Sequence, residues 1–404
     1  MYGILAGLRV VEGASFVAAP SCGLHLAQLG AEVIRFDAIG GGPDFRRWPR
    51  TPAGASLYWE GLNKGKKSIA LDLSRPEGRE LALSLATAPG DKGGLFLTNY
   101  PADGFLSHAR LVARRPDMIT VRVMGWADGT AAVDYTVNAA VGVPAMTGPA
   151  SLGEEPVNHV LPAWDLLAGA HAALALLAAE RHRRATGQGQ EVRVPLSDLA
   201  IATLGHLGQI GEVALSGADR PRHGNDLYGA FGRDFTTRDG RRVMIVALTA
   251  RQWRSLVEAL ELGPAIAALE QRLGVSFDAD EGLRFTHRAE LFALVEAAVA
   301  RRSLAELAAV FDRLGVCWSP YRTLKEALAD EPRFCAANPL FAAIEHPSGE
   351  RYPAPGASTT FAGLERQPPR RAPRLGEHTG EILAEVLGLP GHEIARLHDQ
   401  GIVA

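Results

Sequence analysis

One acidic residue, Asp165, occupies a position where a carboxylate could act as a nucleophile. It stands directly before residues 166–184, in which Leu, Ala and His dominate, with no proline and one glycine, Gly169. This composition predicts a long helix. A carboxylate at a helix N-terminus accepts free backbone N–H groups and lies at the positive end of the helix dipole. The pattern alone favours an N-cap over a nucleophile, so the choice depends on the rest of the chain.

A second stretch whose residues could bind a ligand is the glycine-rich segment 40–48, GGGPDFRRW. Three glycines predict a mobile loop with little steric bulk. Arg46 and Arg47 follow, and their guanidinium groups suit a carboxylate or a phosphate. The alternative is an ordinary surface loop with solvated arginines.

The elements around these residues predict an α/β fold. Residues 8–12 and 31–36 are typical of strands, and residues 20–29 of the helix between them. Such a βαβ unit implies a parallel sheet covered by helices. The loop 12–20 lacks the Gly-x-Gly-x-x-Gly of dinucleotide-binding proteins, which argues against a nicotinamide site even though Asp37 follows the second strand.

Two later strands predict where a ligand would bind. Residues 95–100 end in Asn99 and Tyr100, and residues 118–124 end before Gly125. Ligands of doubly wound sheets collect outside the carboxyl ends of the strands. Asn99 and Tyr100 are therefore candidate binding residues, with ordinary loop hydrogen bonding as the alternative.

The length of 404 residues predicts more than one domain. We expect a large α/β domain at 1–208, completed by 335–404, and a linker at 209–227. A hairpin around Asp239 and Gly240, followed by amphipathic helices, predicts a small α+β domain at 228–330. Residues 331–404 then return to the large domain and end in a helix at 377–387.

Composition and missing motifs narrow the function. The net charge of -3 gives no reason to expect nucleic acid or a membrane surface as a partner. Cys22, Cys317 and Cys335 are too few and too scattered for a disulfide framework or a zinc site, so we expect a cytoplasmic protein without metal. No signal peptide, Walker loop, metalloprotease motif or serine elbow is evident. The histidines, His159 among them, are scattered and are interpreted as structural or solvated.

The ordered set of motifs resembles the family III CoA transferases over nearly the whole chain. The stretches that carry the resemblance are residues 8–12, 26–34, 63–73, 98–100, 165–169, 184–190, 228–231, 239–240 and 373–379. The resemblance implies a Rossmann-like large domain, a smaller α+β domain and an interlocked homodimer. It also implies that Asp165 is the catalytic aspartate.

The resemblance further implies an acyl-CoA substrate and no separate cofactor. CoA is expected over the strand ends, at Phe16, Val17, Ala38, Leu71, Ser74, Asn99, Tyr100, Asp134 and Tyr135. Arg46 or Arg47 is the candidate for holding a free substrate carboxylate. Ala38 departs from the basic residue that formyl-CoA transferases carry there, and their run of four glycines is missing.

Residues 40–47, 134–140 and 156–165 are similar to members of the family that move CoA between the C1 and C4 carboxyl groups of mesaconate. The implied route runs through an aspartyl anhydride and an aspartyl-CoA thioester on Asp165. One alternative is intermolecular transfer to another dicarboxylic acid. Another is an α-methylacyl-CoA racemase, although Val133 occupies the position of the racemase histidine. A third is a CoA-binding protein without turnover.

Overall fold

The computed structural model describes residues 1–334 and 337–404, so Cys335 lies outside the described residues. The chain forms two compact units. The large unit comprises Met1–Val141, His159–Ser216 and Pro332–Ala404, and the small unit comprises Gly142–Asn158 and Gly217–Glu331. Cys22 is buried, which raises the pKa of its thiol, and Cys317 is exposed.

The large unit is built on a six-stranded parallel sheet with the order β3-β2-β1-β4-β5-β6. This order confirms the predicted α/β fold, and it changes direction between β1 and β4. The strands are β1 Arg9–Gly13, β2 Glu32–Ala38, β3 Lys67–Leu71, β4 Leu95–Thr98, β5 Ile119–Met124 and β6 Glu191–Pro195.

Helices cover this sheet, and a separate antiparallel hairpin belongs to the same unit. The hairpin consists of β10 Phe341–Glu345 and β11 Arg351–Pro355. The helices are α1 Ala18–Gln28, α2 Leu57–Leu62, α3 Pro76–Ala86, α4 His108–Arg114, α5 Asp134–Ala140, α7 Ala163–Thr186, α8 Leu196–His206, α9 Gln209–Ser216, α16 Thr379–Glu385 and α17 Gly391–Asp399.

The small unit combines a three-stranded antiparallel sheet with helices around an aromatic core that includes Phe231, Trp253 and Phe292. Its strands are β7 Phe231–Thr236, β8 Arg242–Ala247 and β9 Cys317–Pro320. Its helices are α6 Val143–Met146, α10 Ala250–Ala259, α11 Gly263–Leu273, α12 Glu281–Thr286, α13 Arg288–Val299, α14 Leu304–Leu314 and α15 Leu324–Asp330.

The unit boundaries differ from those expected in two places. Residues 142–158 group with the small unit, because Arg222 donates to the carbonyls of Thr147 and Glu155 and Gly224 N–H donates to Gly148. The expected linker 209–227 begins with α9, which groups with the large unit.

The C-terminal region holds more secondary structure than its composition indicated. The hairpin β10–β11 lies in a stretch rich in Pro and Gly, and α17 follows the helix that we expected to be the last. Both elements contact distant parts of the chain that local composition does not reveal. Tyr352 Oη in the hairpin donates to Glu60, and Arg396 in α17 donates to Glu77.

Helix α7 is long and apolar enough to cross a membrane by length and composition alone. One face is buried against the large unit, through Ala168, Ala172, Leu176 and Ala179. It packs mainly on α1 and on strands β5 and β6. A central core helix has the same composition, so the buried apolar residues of α7 are explained by this packing.

A buried network of charges holds the glycine-rich loop to the sheet. The Arg35 guanidinium on β2 donates to both carboxylate oxygens of Asp44 in that loop, at 3.0 and 2.9 Å, and to Asp37 at 2.8 and 2.9 Å. Lys66 and Arg35 both reach Glu12, and each of these charged side chains is at most 3% exposed. Asp37 is therefore occupied by an internal ion pair and is not a ribose ligand in this chain.

Gly169 permits the close contact between α7 and α1. A Cβ at this position would lie 1.9 Å from Ser21 Oγ and 2.8 Å from the carbonyl oxygen of Ala18. Separations this short are not tolerated, so a side chain here would push α7 away from α1. The helix that carries Asp165 therefore depends on glycine one turn further along.

Replacing Gly169 by Ala should destabilise the protein by roughly 1–3 kcal/mol, because overpacking outweighs the gain of about 1 kcal/mol in helix propensity. Gly205→Ala in α8 is the matched control, since its nearest atom to a new Cβ is 3.7 Å away. That variant should be as stable as the wild type or more so. Denaturant unfolding of both variants checks this, and equal stabilities would contradict the packing argument.

Candidate active site

The N-terminus of α7 is capped by a residue from another helix. Asp134, the first residue of α5, accepts hydrogen bonds through Oδ2 from the backbone N–H groups of Trp164 at 2.7 Å and Asp165 at 3.1 Å. The helix begins at Ala163, three residues earlier than the sequence predicted. The prediction that Asp165 itself could be the N-cap was wrong, because Asp134 already fills that role.

The Asp165 carboxylate therefore does not cap the first turn of α7. Among the described residues, no hydrogen bond to its carboxylate is found, and the side chain is only partly exposed. Burial and, to a lesser extent, the negative charge of Asp134 raise the pKa of Asp165 to about 7, while Arg47 opposes the shift. Near neutral pH, Asp165 is a partly desolvated carboxylate with no internal partner.

Arg47 lies on the same side as Asp165 and is framed by two aromatic rings. Its guanidinium carbon is 5.4 Å from the ring centres of both Phe16 and Tyr58. No acidic side chain pairs with Arg47 among residues 1–334 and 337–404. The arrangement leaves a positive charge, oriented by aromatic faces, available to an anion near Asp165.

The hydroxyl group of Tyr58 is buried and has no hydrogen-bond partner within the described part of the chain. Burial raises the pKa of Tyr58, and both Arg47 and Asp165 act on it electrostatically. A buried hydroxyl without a partner is costly unless a ligand supplies one. Sequence reasoning missed Tyr58, since a tyrosine on a short helix carries no local signal of this kind.

Arg46 lies elsewhere, although it is adjacent to Arg47 in the sequence. It lines a cavity of about 430 Å³ together with Arg50, Glu60 and Arg374, and Arg50 donates to its carbonyl oxygen at 2.7 Å. Neither Asp165 nor Tyr58 lines that cavity. Of the two arginines that the sequence left open, the structure brings Arg47 towards Asp165.

The point where the strand order reverses is shaped by Asn99. Its side-chain amide donates to the Ser15 carbonyl at 2.9 Å, and its Oδ1 accepts from Ser15 N–H at 3.2 Å. Phe16, next in the β1–α1 loop, has a φ of 69°, a conformation that non-glycine residues rarely adopt. Asn99 therefore holds a strained loop at the place where ligands of such sheets bind.

His159 was interpreted as structural or solvated, and the structure gives it a specific partner. Its Nε2 lies 2.5 Å from Asp134 Oδ1, and its ring packs against Tyr135 and Trp164. Sequence offered no signal for this contact, because His159 precedes α7 in an irregular segment 25 residues after Asp134.

Comparison with known proteins assigns this arrangement to a family. A profile described as CoA-transferase family III matches residues 5–379. The chain belongs to CoA-transferase family III. Membership makes it an enzyme, a CoA transferase, and confirms the resemblance that the sequence motifs carried.

Two relatives from Chloroflexus aurantiacus match over the full length. The chain is 55% identical to a 2-methylfumaryl-CoA isomerase over 405 residues, which cover 100% of this chain and 98% of the relative. It is 30% identical to a succinyl-CoA–D-citramalate CoA-transferase over 410 residues, which cover 99% of this chain and 98% of that one.

A solved structure shares the fold. A CAIB/BAIF family protein from Brucella suis superposes with a TM-score of 0.74 at 27% sequence identity, covering 95% of this chain and 99% of that chain. The large parallel sheet and the smaller antiparallel sheet are therefore features of the CoA-transferase family III fold.

The residues that the family resemblance suggested for CoA all lie on the carboxyl side of the sheet, but they differ in exposure. Leu71 and Val17 have buried side chains, Leu71 in the hydrophobic core of the large unit, and their contact with CoA stays a prediction. Asp134 is 1% exposed and occupied by α7 and His159. The remaining candidates stay predictions, namely Phe16, Ala38, Ser74, Asn99, Tyr100 and Tyr135.

Replacing Asp165 by Asn should abolish activity and stabilise the protein. The pKa of the carboxyl rises from 3.8 to about 7 on folding. Between these values the folded protein binds the proton more tightly than the unfolded chain, so each unit of rising pH costs up to about 1.4 kcal/mol of stability. Asn removes this cost, and loss of a nucleophile lowers turnover by at least about a thousandfold.

Thermal unfolding checks the prediction from pH 5 to pH 8. The Asp165→Asn variant should unfold at a higher temperature than the wild type at pH 8, and the gap should narrow towards pH 5. Asp198→Asn, at an exposed acid in the first turn of α8, is the control and should show no such trend. A variant that is inactive but no more stable at pH 8 would mean that Asp165 is not desolvated.

Proposed function

We propose that this chain moves CoA from the C1 to the C4 carboxyl group of mesaconate, converting 2-methylfumaryl-CoA into 3-methylfumaryl-CoA. The relative that is 55% identical over the full length carries out an isomerisation of this substrate by name. The observation that carries the proposal is the Asp165 carboxylate, to which no hydrogen bond is found among residues 1–334 and 337–404 and which interacts electrostatically with Arg47.

In the proposed first half-reaction, an oxygen of the Asp165 carboxylate attacks the C1 thioester carbonyl. The C–S bond breaks, CoA leaves as a thiolate, and a mixed anhydride joins Asp165 to mesaconate. The thiolate then attacks the aspartyl carbonyl. The anhydride C–O bond breaks, the C1 carboxylate is released, and CoA is held as a thioester of Asp165.

The second half-reaction repeats these steps at the other end of the diacid. The C4 carboxylate attacks the aspartyl thioester and releases the thiolate, which then attacks the C4 acyl carbonyl of the new anhydride. The product is the C4 thioester, and the Asp165 carboxylate is regenerated. No proton is gained or lost over the cycle, so the site needs an ionised aspartate and a means of retaining the diacid, and no general base.

Arg47 and Tyr58 suit the task of retaining the diacid. Whichever end of mesaconate is not being acylated is a carboxylate, and a guanidinium beside a hydroxyl donor is a natural partner for it. Within the part of the chain that the structure describes, the Tyr58 hydroxyl has no hydrogen-bond partner and Arg47 forms no ion pair with an acidic side chain. A held diacid reacts at high effective concentration, which favours return of CoA to the same molecule over transfer to an external acid.

The proposal includes a soluble, cytoplasmic homodimer that uses acyl-CoA and no separate cofactor. Large apolar side chains are exposed on three successive helices of the large unit, α7, α8 and α9. They include Leu174 in α7, Leu207 directly after α8 and Leu215 in α9, which are 67%, 68% and 92% exposed. Exposed leucines in this number are unusual on a monomer and support a covering partner chain.

One experiment tests both the nucleophile and the intramolecular course. The enzyme is incubated with unlabelled 2-methylfumaryl-CoA in the presence of ¹³C-labelled free mesaconate. We expect unlabelled 3-methylfumaryl-CoA as the product. In a second sample, hydroxylamine should trap Asp165 as its hydroxamate, visible by mass spectrometry of the peptide that contains it.

Each outcome separates a different alternative. Label in the product would show an intermolecular transferase, and turnover without a hydroxamate at Asp165 would contradict the acyl-enzyme route. CoA binding without turnover of any thioester would leave only a binding protein. Asp165→Asn is the control for the trapping, because it cannot form the anhydride.

Replacing Arg47 by Gln should lower kcat/KM for 2-methylfumaryl-CoA by roughly 10- to 100-fold, the loss expected for one charge-assisted hydrogen bond. Arg46→Gln is the matched control, because Arg46 lines a different cavity, and it should behave like the wild type. Steady-state kinetics of both variants decide between them. A larger loss in Arg46→Gln than in Arg47→Gln would reverse the assignment.

A further inference from the structure

Both oxygens of the Asp134 carboxylate have partners. Oδ2 accepts the N–H groups of Trp164 and Asp165, and Oδ1 lies 2.5 Å from His159 Nε2. Asp134 is 1% exposed, so its charge is not screened by water. The His159 imidazole is therefore connected to the backbone of the catalytic aspartate through one buried carboxylate.

We propose that His159 is a positioning residue that acts through Asp134 to set the ionisation of Asp165. The proposal deepens the function given above, since it concerns how the nucleophile of that reaction is kept ready. Nothing in the cycle of acyl transfers requires a histidine, so this role is additional to the chemistry of the thioester.

The ionisation of Asp165 depends on the charge of Asp134, and the effect of Asp134 depends on the charge of His159. A negative Asp134 beside Asp165 disfavours a second negative charge, and this repulsion is one cause of the raised pKa of Asp165. A proton on the His159 imidazole places a positive charge 2.5 Å from Asp134 Oδ1 and cancels much of that repulsion. With His159 protonated Asp165 ionises more readily, and with His159 neutral less readily.

Other titratable groups near Asp134 and Asp165 also affect the ionisation of Asp165. Arg47, from the loop before α2, favours the ionised form of Asp165. Burial raises the pKa of Tyr58 on α2, so this group is neutral near pH 7 and contributes a dipole only. Because Asp134 is the acidic group that acts on Asp165, and His159 contacts Asp134, the influence of His159 passes through that carboxylate.

The geometry also keeps this contact in place. The His159 ring lies 5.5 Å from the Tyr135 ring and 6.4 Å from the Trp164 ring, centre to centre. Trp164 is itself held by a hydrogen bond from its indole N–H to Asn138 Oδ1 at 3.1 Å. Packing on both rings fixes the orientation of the imidazole and keeps Nε2 directed at Asp134. The proposed electrostatic effect of His159 on Asp134 depends on this orientation.

The test measures the titration of Asp165 directly by infrared difference spectroscopy of the full-length enzyme between pH 5 and pH 9. The carboxylic acid C=O band of Asp165 is the one that is missing in Asp165→Asn. In His159→Gln, a neutral donor replaces a group that can carry charge, and we expect the midpoint of this band to rise by about one pH unit or more. The acid limb of kcat/KM should move in the same direction.

A double-variant cycle separates charge transmission from a structural role. Asp134→Asn removes the negative charge and should lower the midpoint of Asp165. In that background, adding His159→Gln should shift the midpoint by no more than a few tenths of a unit, because the path through Asp134 is gone. His182→Gln, at an exposed histidine near the end of α7, is the control and should leave the midpoint unchanged.

The inference is overturned if His159→Gln leaves the Asp165 midpoint unchanged, or if its shift persists in full in the Asp134→Asn background. His159→Asn is prepared in parallel, so that a folded neutral variant is at hand if Gln disturbs the structure. Since the infrared titration does not depend on turnover, it tests His159 even if the enzyme fails to isomerise 2-methylfumaryl-CoA.

Discussion

The first turn of α7 contains backbone N–H groups that require a hydrogen-bond acceptor. Which residue accepts them determines whether the Asp165 carboxylate is hydrogen-bonded or left without a hydrogen bond. Asp134 reaches these groups from α5 and satisfies them. If Asp165 capped its own helix, its carboxylate would be hydrogen-bonded, its pKa would fall and its nucleophilicity would fall with it. In the proposed mechanism the environments of the two carboxylates give them different roles, since Asp134 caps the helix and Asp165 reacts.

A second constraint is the buried charge network beneath the glycine-rich loop. A loop with three consecutive glycines has many accessible conformations, and an arginine on it would be a poor anion site without an anchor. The contact of Arg35 Nη2 with both carboxylate oxygens of Asp44 supplies that anchor three residues before Arg47. The cost of burying these charges is offset only because each one is paired, so loss of a single partner would leave an uncompensated charge inside the sheet.

Local patterns predicted the parallel sheet and the long helix, because strand and helix periodicity and the βαβ order are properties of short stretches of sequence. Asp165 was singled out by the family resemblance, and its role stays a prediction. The cap on α7 escaped prediction because Asp134 lies 31 residues before Asp165. The loop conformation places Arg46 in one cavity and Arg47 near Asp165. Tertiary packing brings His159 to Asp134. Strand β9 escaped for a related reason, since a four-residue strand that ends in proline has no pattern of its own.

The raised pKa of Asp165 links the stability of the fold to the chemistry proposed for it. Partial burial disfavours the carboxylate, but it does not disfavour an aspartyl anhydride or thioester, which carry no charge on the aspartyl group. Desolvation therefore moves the free energy of the resting enzyme closer to that of its acylated states. Arg47 limits this effect, since an Asp165 that stayed protonated could not attack. A pKa of about 7 leaves a substantial fraction ionised at neutral pH, while that fraction is a stronger nucleophile than an ordinary exposed aspartate.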